Sequence, residues 1–215
     1  MNPAIKLLLV IAIALEISFV VNIGLNLIII GACLAYLIFK KVNLRTIAIF
    51  SLIAFLPAVG IFFSQIYYGS NGLVMGTALF TRLYAYIFLG ISFSQTTYMI
   101  DLAQALEQNA HIPTKFIYGV LAAINLVPRL KYEIEVIRAN GKMRGKILHP
   151  WMPTLYFKAL IVAIGWSRNL AKAMVSQGFV EDQPRSIAKV SVISKLDWLL
   201  FLGTLLAIQV IIFIV

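Results

Sequence analysis

The chain has 215 residues, of which 61% are hydrophobic and only 12% charged, with a mean hydropathy of +0.95. Soluble domains run at roughly 45–50% apolar and about 25% charged, so an ordinary water-soluble enzyme is excluded. The net charge of +10 does not point to nucleic acid, because 13 of the 18 Lys and Arg fall between Lys115 and Lys195, beside lipid-length apolar runs. Basic residues in that position are explained by membrane orientation.

The N-terminal stretch LLLVIAIALEISFVV (7–21) follows Lys6 and resembles a secretory leader. Glu16 interrupts it, no small-x-small cleavage site follows, and a second apolar run begins within a few residues, so a retained helix is expected. Spanning hydrocarbon takes about 20 mostly apolar residues. Windows of that kind lie at roughly 4–21, 23–39, 46–68, 73–100 and 196–215. The first two are short and meet near Asn22, as a tight hairpin or as one tilted span plus a re-entrant piece. Pro57 is expected to kink the third without ending it. KKVNLR (40–45) carries three basic residues and YYGSNG (67–72) none. A cytoplasmic N-terminus, 40–45 and 101–195 then satisfy the positive-inside pattern and leave Val215 outside.

The expected fold is an all-α polytopic membrane protein with about five transmembrane helices: N-terminal spans in 1–100, a cytoplasmic-side helical region in 101–195 and a last span at 196–215. In the middle region Pro113, Pro128, Pro150, Pro153 and Pro184 divide the chain into expected helices at about 114–127, 129–144 and 154–178. Along 129–144, Leu130, Ile134, Ile137 and Gly141 share one face, while Lys131, Glu135 and Arg138 line another. Such amphipathic helices suit a membrane surface or a partner.

Catalytic chemistry is hard to find. Glu133 and Glu135 diverge on a helix, as do Asp101 and Glu107, and no HExxH, GxSxG or Walker loop is present. Cys33 stands alone in an apolar run, and His111 and His149 lie 38 residues apart, so no metal site is expected. Arg82, within GTALFTRLYAYIFLG, is an intramembrane charge and hence a functional candidate, with snorkelling or carbonyl bonding as the structural alternative.

The segment NGKMRGKILH (140–149) places three basic side chains within five positions, bracketed by two glycines. A basic last turn followed by glycine is an ordinary helix end. Equally, Arg144 at such a tip offers a rigid five-donor fork to carboxylates or carbonyls of a partner. The altered element AMVSQGF recurs at 173–179.

The order of these motifs resembles the transmembrane (T) components of energy-coupling factor transporters, a family that includes cobalt and nickel permease subunits. TTYMIDLAQALEQNAHIPTKF (96–116) looks like the family's TT-x-x-x-D-L-A-x-A-L stretch followed by proline. LAAINLVPRL (121–130) looks like its proline-containing turn. KMRG (142–145) looks like the first Ala-Arg-Gly motif with Met143 in the alanine place, and AMVSQGF like the second. The likeness is close over about 80–190 and general in the N-terminal spans.

That resemblance implies a non-catalytic scaffold in a prokaryotic cell membrane, joining two cytoplasmic ABC-type ATPases to a small membrane subunit that captures a vitamin or metal ion. It implies no cofactor on this chain, with ATP and Mg held by the ATPases. Carried over, Lys142, Met143, Arg144 and Gly145 form the first ATPase-docking tip and Ser176, Gln177 and Gly178 the second. Gln177 stands where the family has a second arginine, so the two contacts should be unequal, with Arg168, Lys172 or Arg185 as candidate replacement charges. Phe116, Leu121, Leu155 and Trp166 would face the substrate-binding subunit. A free-standing channel or secondary transporter is the alternative; it needs polar midplane residues on broken spans, and only Arg82 and Glu16 are candidates. An intramembrane enzyme would need convergent catalytic groups that the sequence lacks.

Overall fold

The computed structural model describes residues 1–69, 72–180, 183 and 190–214. Expectations that fall on Ser70, Asn71, Pro184, Arg185 and Val215 lie outside the described residues. Eight helices account for the described fold: α1 (Pro3–Phe19), α2 (Ile23–Phe39), α3 (Leu44–Tyr68), α4 (Gly72–Thr96), α5 (Met99–Asn109), α6 (Thr114–Met143), α7 (Pro153–Ser176) and α8 (Lys195–Ile214). They fall into two compact units, Met1–Ala105 with Ser191–Val215, and Leu106–Val190.

The first unit is the membrane bundle. Asparagines set its helix starts: the side-chain oxygens of Asn2, Asn22 and Asn43 accept from backbone N–H groups of the first turns of α1, α2 and α3. α4 is central, packing against α1, α2 and α3, while α8 rests on α1 and α2. The shared core joins Ile13, Ile17, Leu25, Ile29, Leu37, Ala85, Phe88, Leu89 and Ile208. Outward faces stay apolar, as lipid requires.

Polar contacts order the bundle's ends. Lys6 Nζ reaches the Thr96 carbonyl at 3.3 Å, so α1 begins beside the end of α4. The Asn2 N–H donates to the buried Asp197 carboxylate at 3.1 Å. Farther along, Gln209 Nε2 donates to Glu16 Oε1 at 3.2 Å, so α1 and α8 run parallel from one face of the bundle.

Three helices, α3, α4 and α8, are long and apolar enough to cross a membrane. α1 and α2 have 17 residues each, about 25 Å at 1.5 Å per residue against a hydrocarbon core of about 30 Å. Of the five expected spans, three are full-length helices and α2 is a shorter apolar one, while α1 matches α2 in length. Residues 20–22 link them, with Val20 and Asn22 in extended backbone and Asn22 capping α2. Pro57 sits inside α3 without ending it.

Two boundaries differ from expectation. The fourth span stops at Thr96, and α5 begins separately at Met99. Pro128 does not divide two helices; α6 runs unbroken through it for 30 residues. Proline deletes one i→i−4 bond, at about 3 kcal/mol. Here α7 packs against α6, and Arg129, the next residue, lies over Trp166.

Candidate functional site at two helix ends

α6 ends on a left-handed glycine. Arg144 is its C-cap (φ −94°, ψ 16°) and Gly145 takes φ +69°. The Gly145 N–H donates to the Lys142 carbonyl at 3.0 Å, and the Lys146 N–H to the Gly141 carbonyl at 2.9 Å. Two carbonyls that a helix end leaves open are thereby satisfied. The chain then folds back, with buried Leu148 against Gly141: a Cβ on Gly141 would lie 2.9 Å from Leu148 Cδ1 and 2.9 Å from the Lys146 carbonyl oxygen.

α7 repeats this construction. Gln177 is its C-cap (φ −83°, ψ 7°) and Gly178 takes φ +82°. The Gly178 N–H donates to the Val175 carbonyl at 3.0 Å and the Phe179 N–H to the Met174 carbonyl at 2.9 Å. Arg144 and Gln177 therefore hold equivalent places in two equivalent caps. Lys142, Met143, Arg144, Gly145, Ser176, Gln177 and Gly178 are all exposed. The Ser176 hydroxyl turns inward and donates to the Ala173 carbonyl at 2.8 Å.

The two tips lie at opposite ends of one helix pair. Tyr118, early in α6, meets Phe179, just past α7, edge to face at 6.0 Å. Arg129 in mid-α6 lies over Trp166 in mid-α7. The helices are thus antiparallel, and the 144 tip stands roughly 40 Å along α6 from the level of the 177 tip. From 136 to 180 the chain holds seven Lys and Arg and no acid. Arg168 and Lys172 are exposed in the last turns of α7, near the tip that lacks an arginine.

The remaining sequence candidates sort differently. Arg82 Nη2 donates to the Val20 carbonyl, the C-cap of α1, at 2.8 Å, and its buried Nε finds no partner. It bonds a helix-end carbonyl inside the bundle. Phe116 is exposed and Leu121 half-buried. Leu155 is only 2% exposed, so it is packed within the chain and is not part of an open surface; its spacing with Ala159, Val162 and Trp166 marks the inward stripe of α7. Trp166 is half-buried, with one face of its ring taken by Arg129.

Sequence reasoning missed two features. The Arg129–Trp166 contact had no local signal, because its partners are 37 residues apart on helices whose register the sequence leaves open. The exposed apolar stripe Phe116, Val120, Ala123 and Val127 on α6 has i, i+4, i+7, i+11 spacing that is readable within the helix expected at 114–127, although of the four only Phe116 is a sequence candidate. Among the described residues no group of three or more His, Cys, Asp or Glu is placed to hold a metal ion.

Comparison with known proteins supplies the family. A search of curated proteins finds no match. The profile of the CbiQ family, described as cobalt transport protein, matches residues 1–187. With its span-length helices, the chain is a multi-pass protein of the cell membrane and a component of a transporter. A match across most of its length makes the chain a member of the CbiQ family, the membrane T components of energy-coupling-factor-type transporters.

Proposed function

We propose that the chain is the non-catalytic coupling scaffold of an ATP-driven importer, linking two cytoplasmic ABC-type ATPases to a small membrane subunit that binds a vitamin, a metal ion or another micronutrient. The observation that carries this reading is the matched pair of glycine caps, which present Arg144 and Gln177 at opposite ends of one antiparallel helix pair. A partner that grips a rigid helix by its tip moves the whole helix. Two motors gripping opposite ends can turn the pair as a unit. ATP and Mg belong to the motors, and this chain holds neither.

The exposed stripe Phe116, Val120, Ala123 and Val127 on α6 is the surface offered to the substrate-binding subunit; it replaces Leu155 in that role and leaves Phe116 as its first residue. The two ATPase contacts are unequal. Arg144 makes charge-assisted bonds worth about 1.5–3 kcal/mol, and Gln177 neutral ones worth about 0.5–1.5 kcal/mol.

Affinity purification of the tagged chain from its native membrane tests this reading. A stoichiometric ATP-binding pair and one small hydrophobic protein are expected. Arg144→Ala should strip most of the ATPase, and Gln177→Ala less of it. Transport of a solute by the purified chain alone, with no nucleotide-hydrolysing companion, would overturn the reading.

A further inference from the structure

The first turn of α1 grips two places at once. Asn2 is buried at the N-cap of α1, and the Lys6 N–H closes that turn on the Asn2 carbonyl at 3.0 Å. The Asn2 side-chain amide donates to Ser191 Oγ at 3.0 Å and to the Val192 carbonyl at 3.4 Å. Its backbone N–H donates to Asp197 Oδ2, the same oxygen that accepts from the Ser194 N–H at 3.4 Å. Ser194 Oγ in turn accepts from the Leu196 N–H at 3.3 Å, which completes a reciprocal cap on the start of α8. One buried carboxylate therefore caps α8 and holds α1 to it. One turn along α1, Lys6 reaches a different helix. Its ammonium donates to the Thr96 carbonyl at 3.3 Å and to Thr96 Oγ1 at 3.4 Å. α4 has no basic residue in its own last turn, so Lys6 supplies from α1 the cation that a helix C-terminus favours.

We propose that this turn is the anchor of the coupling stroke, with Asn2 and Lys6 as positioning residues. The inference rests on the scaffold reading above. Thr96 ends α4, after which the chain runs through α5, α6 and α7, and Ser191 is where it rejoins the membrane bundle. The bonds of Asn2 and Lys6 thus fall on the exit and the return of one continuous segment. Apolar packing already joins the three helices, since Ile13 and Ile17 of α1 share a core with Phe88 of α4 and Ile208 of α8. What the polar bonds add is a fixed spacing between the two attachments. Asn2 and Lys6 are four residues apart on one helix, about 6 Å along its axis, so Thr96 and Ser191 separate only if a bond breaks. Force applied to the helices of the segment is borne where the segment is attached. With both attachments fixed to α1, the segment moves against the bundle. With either one loose, the stroke is spent in shifting the attachment.

The test uses the full chain purified with its ATPases, carrying nitroxides at Tyr98→Cys and Val192→Cys. Both positions are exposed, and the native Cys33 is buried. Electron–electron resonance reads the distance distribution without nucleotide and with magnesium and a non-hydrolysable ATP analogue. In the parent it should stay narrow in both states. Asn2→Ser keeps a cap for α1 but lacks the amide that reaches Ser191, and Lys6→Met keeps the stem but not the donor. Each variant should retain the ATPases, match the parent without nucleotide and broaden once the analogue binds. Lys6→Arg should restore the narrow form. Broadening of equal size in both states would reduce the two residues to ordinary structural bonds, and no broadening in either state would leave the attachments held by packing alone; both results overturn the anchor. Loss of the ATPases from either variant also overturns it, since an anchor is not a docking contact. A parent chain that brings down no ATPase would overturn the scaffold reading itself, and the anchor with it.

Discussion

The Arg129 guanidinium lies 3.1 Å from the centre of the Trp166 ring, and the two residues stand near the midpoints of α6 and α7. Arg129 follows Pro128, the one residue in α6 that cannot donate an intrahelical bond at that turn. The cation therefore ties the helix pair together where α6 is most easily bent. A contact of this kind is worth about 0.5–1 kcal/mol when exposed and about 2 when desolvated.

From this pin follows the first prediction. Trp166→Leu should broaden the distance distribution between spin labels at Met143→Cys and Ser176→Cys, measured by electron–electron resonance on the purified chain. Trp166→Tyr, which keeps a π face, should leave it narrow. Equal widths in both variants would show that the helices are held by their apolar stripe alone.

Glycine at the two caps is required by the backbone, not by space. A Cβ at Gly145 or Gly178 would meet nothing within 4 Å, but the φ values of +69° and +82° disfavour an L residue by about 1–2 kcal/mol. Gly145→Ala and Gly178→Ala should each weaken retention of the ATPase by roughly tenfold, with thermal unfolding of the bundle unchanged. Gly145→Asn should recover part of the loss, because asparagine tolerates the left-handed region. A recovery no better than alanine's would argue that the tip contacts tolerate no side chain at all.

Gly141 is constrained differently, and alanine there should do more harm. Its Cβ would meet Leu148, which can shift, and the Lys146 carbonyl, which cannot move without opening the cap. Overpacking of this sort costs about 1–3 kcal/mol. Gly141→Ala should expose the bonds after Lys142, Arg144 and Lys146 to trypsin, and Leu148→Ala should restore protection only in part. Full restoration would place the whole conflict on the leucine side chain.

The two caps were legible in the sequence because helix ends are local: a polar or basic last turn and a glycine specify their own hydrogen bonds within six residues. The lipid-length runs of α3, α4 and α8 were legible for the same reason, as composition and length suffice. Pro128 was misread because a local rule, that proline ends helices, was outweighed by the packing of α7 against α6. The break after Thr96 carries neither glycine nor proline, so nothing local announced α5. Leu155 shows the third limit. Its apolar character says that it is covered, and only the fold says whether its own chain or a partner covers it.

Equivalent backbone at Arg144 and Gln177 means that arginine can be installed at the second tip without altering the cap. Gln177→Arg should add a charge-assisted bond where a neutral one stood, a gain of about 1 kcal/mol or roughly fivefold in affinity for the second ATPase. Salt resistance of the complex should fall differently in the two forms, since the added contact is screened. Washing the immobilised complex with rising salt reads both effects: tighter retention at low salt, converging with the parent at high salt. Loss of the ATPase from Gln177→Arg at low salt would mean that the second groove accepts only a neutral side chain, and that its partner subunit differs from the first.

Two opposing effects decide the role of the intramembrane Arg82. Arg82→Met leaves the Val20 carbonyl without its donor, at about 1–3 kcal/mol for a buried unpaired group. It also removes a charge whose Nε is buried and unpartnered. Were Arg82 a transport group, the variant would fold normally and lose only activity. As a cap on the end of α1, it should instead lower the thermal midpoint of the purified protein and loosen the link at 20–22, read as faster labelling of Val21→Cys by a thiol reagent. Arg82→Lys, which can donate one bond to that carbonyl, should fall between the parent and methionine. A methionine variant with an unchanged midpoint and unchanged labelling would show that the carbonyl finds another donor and that the charge serves something other than the fold.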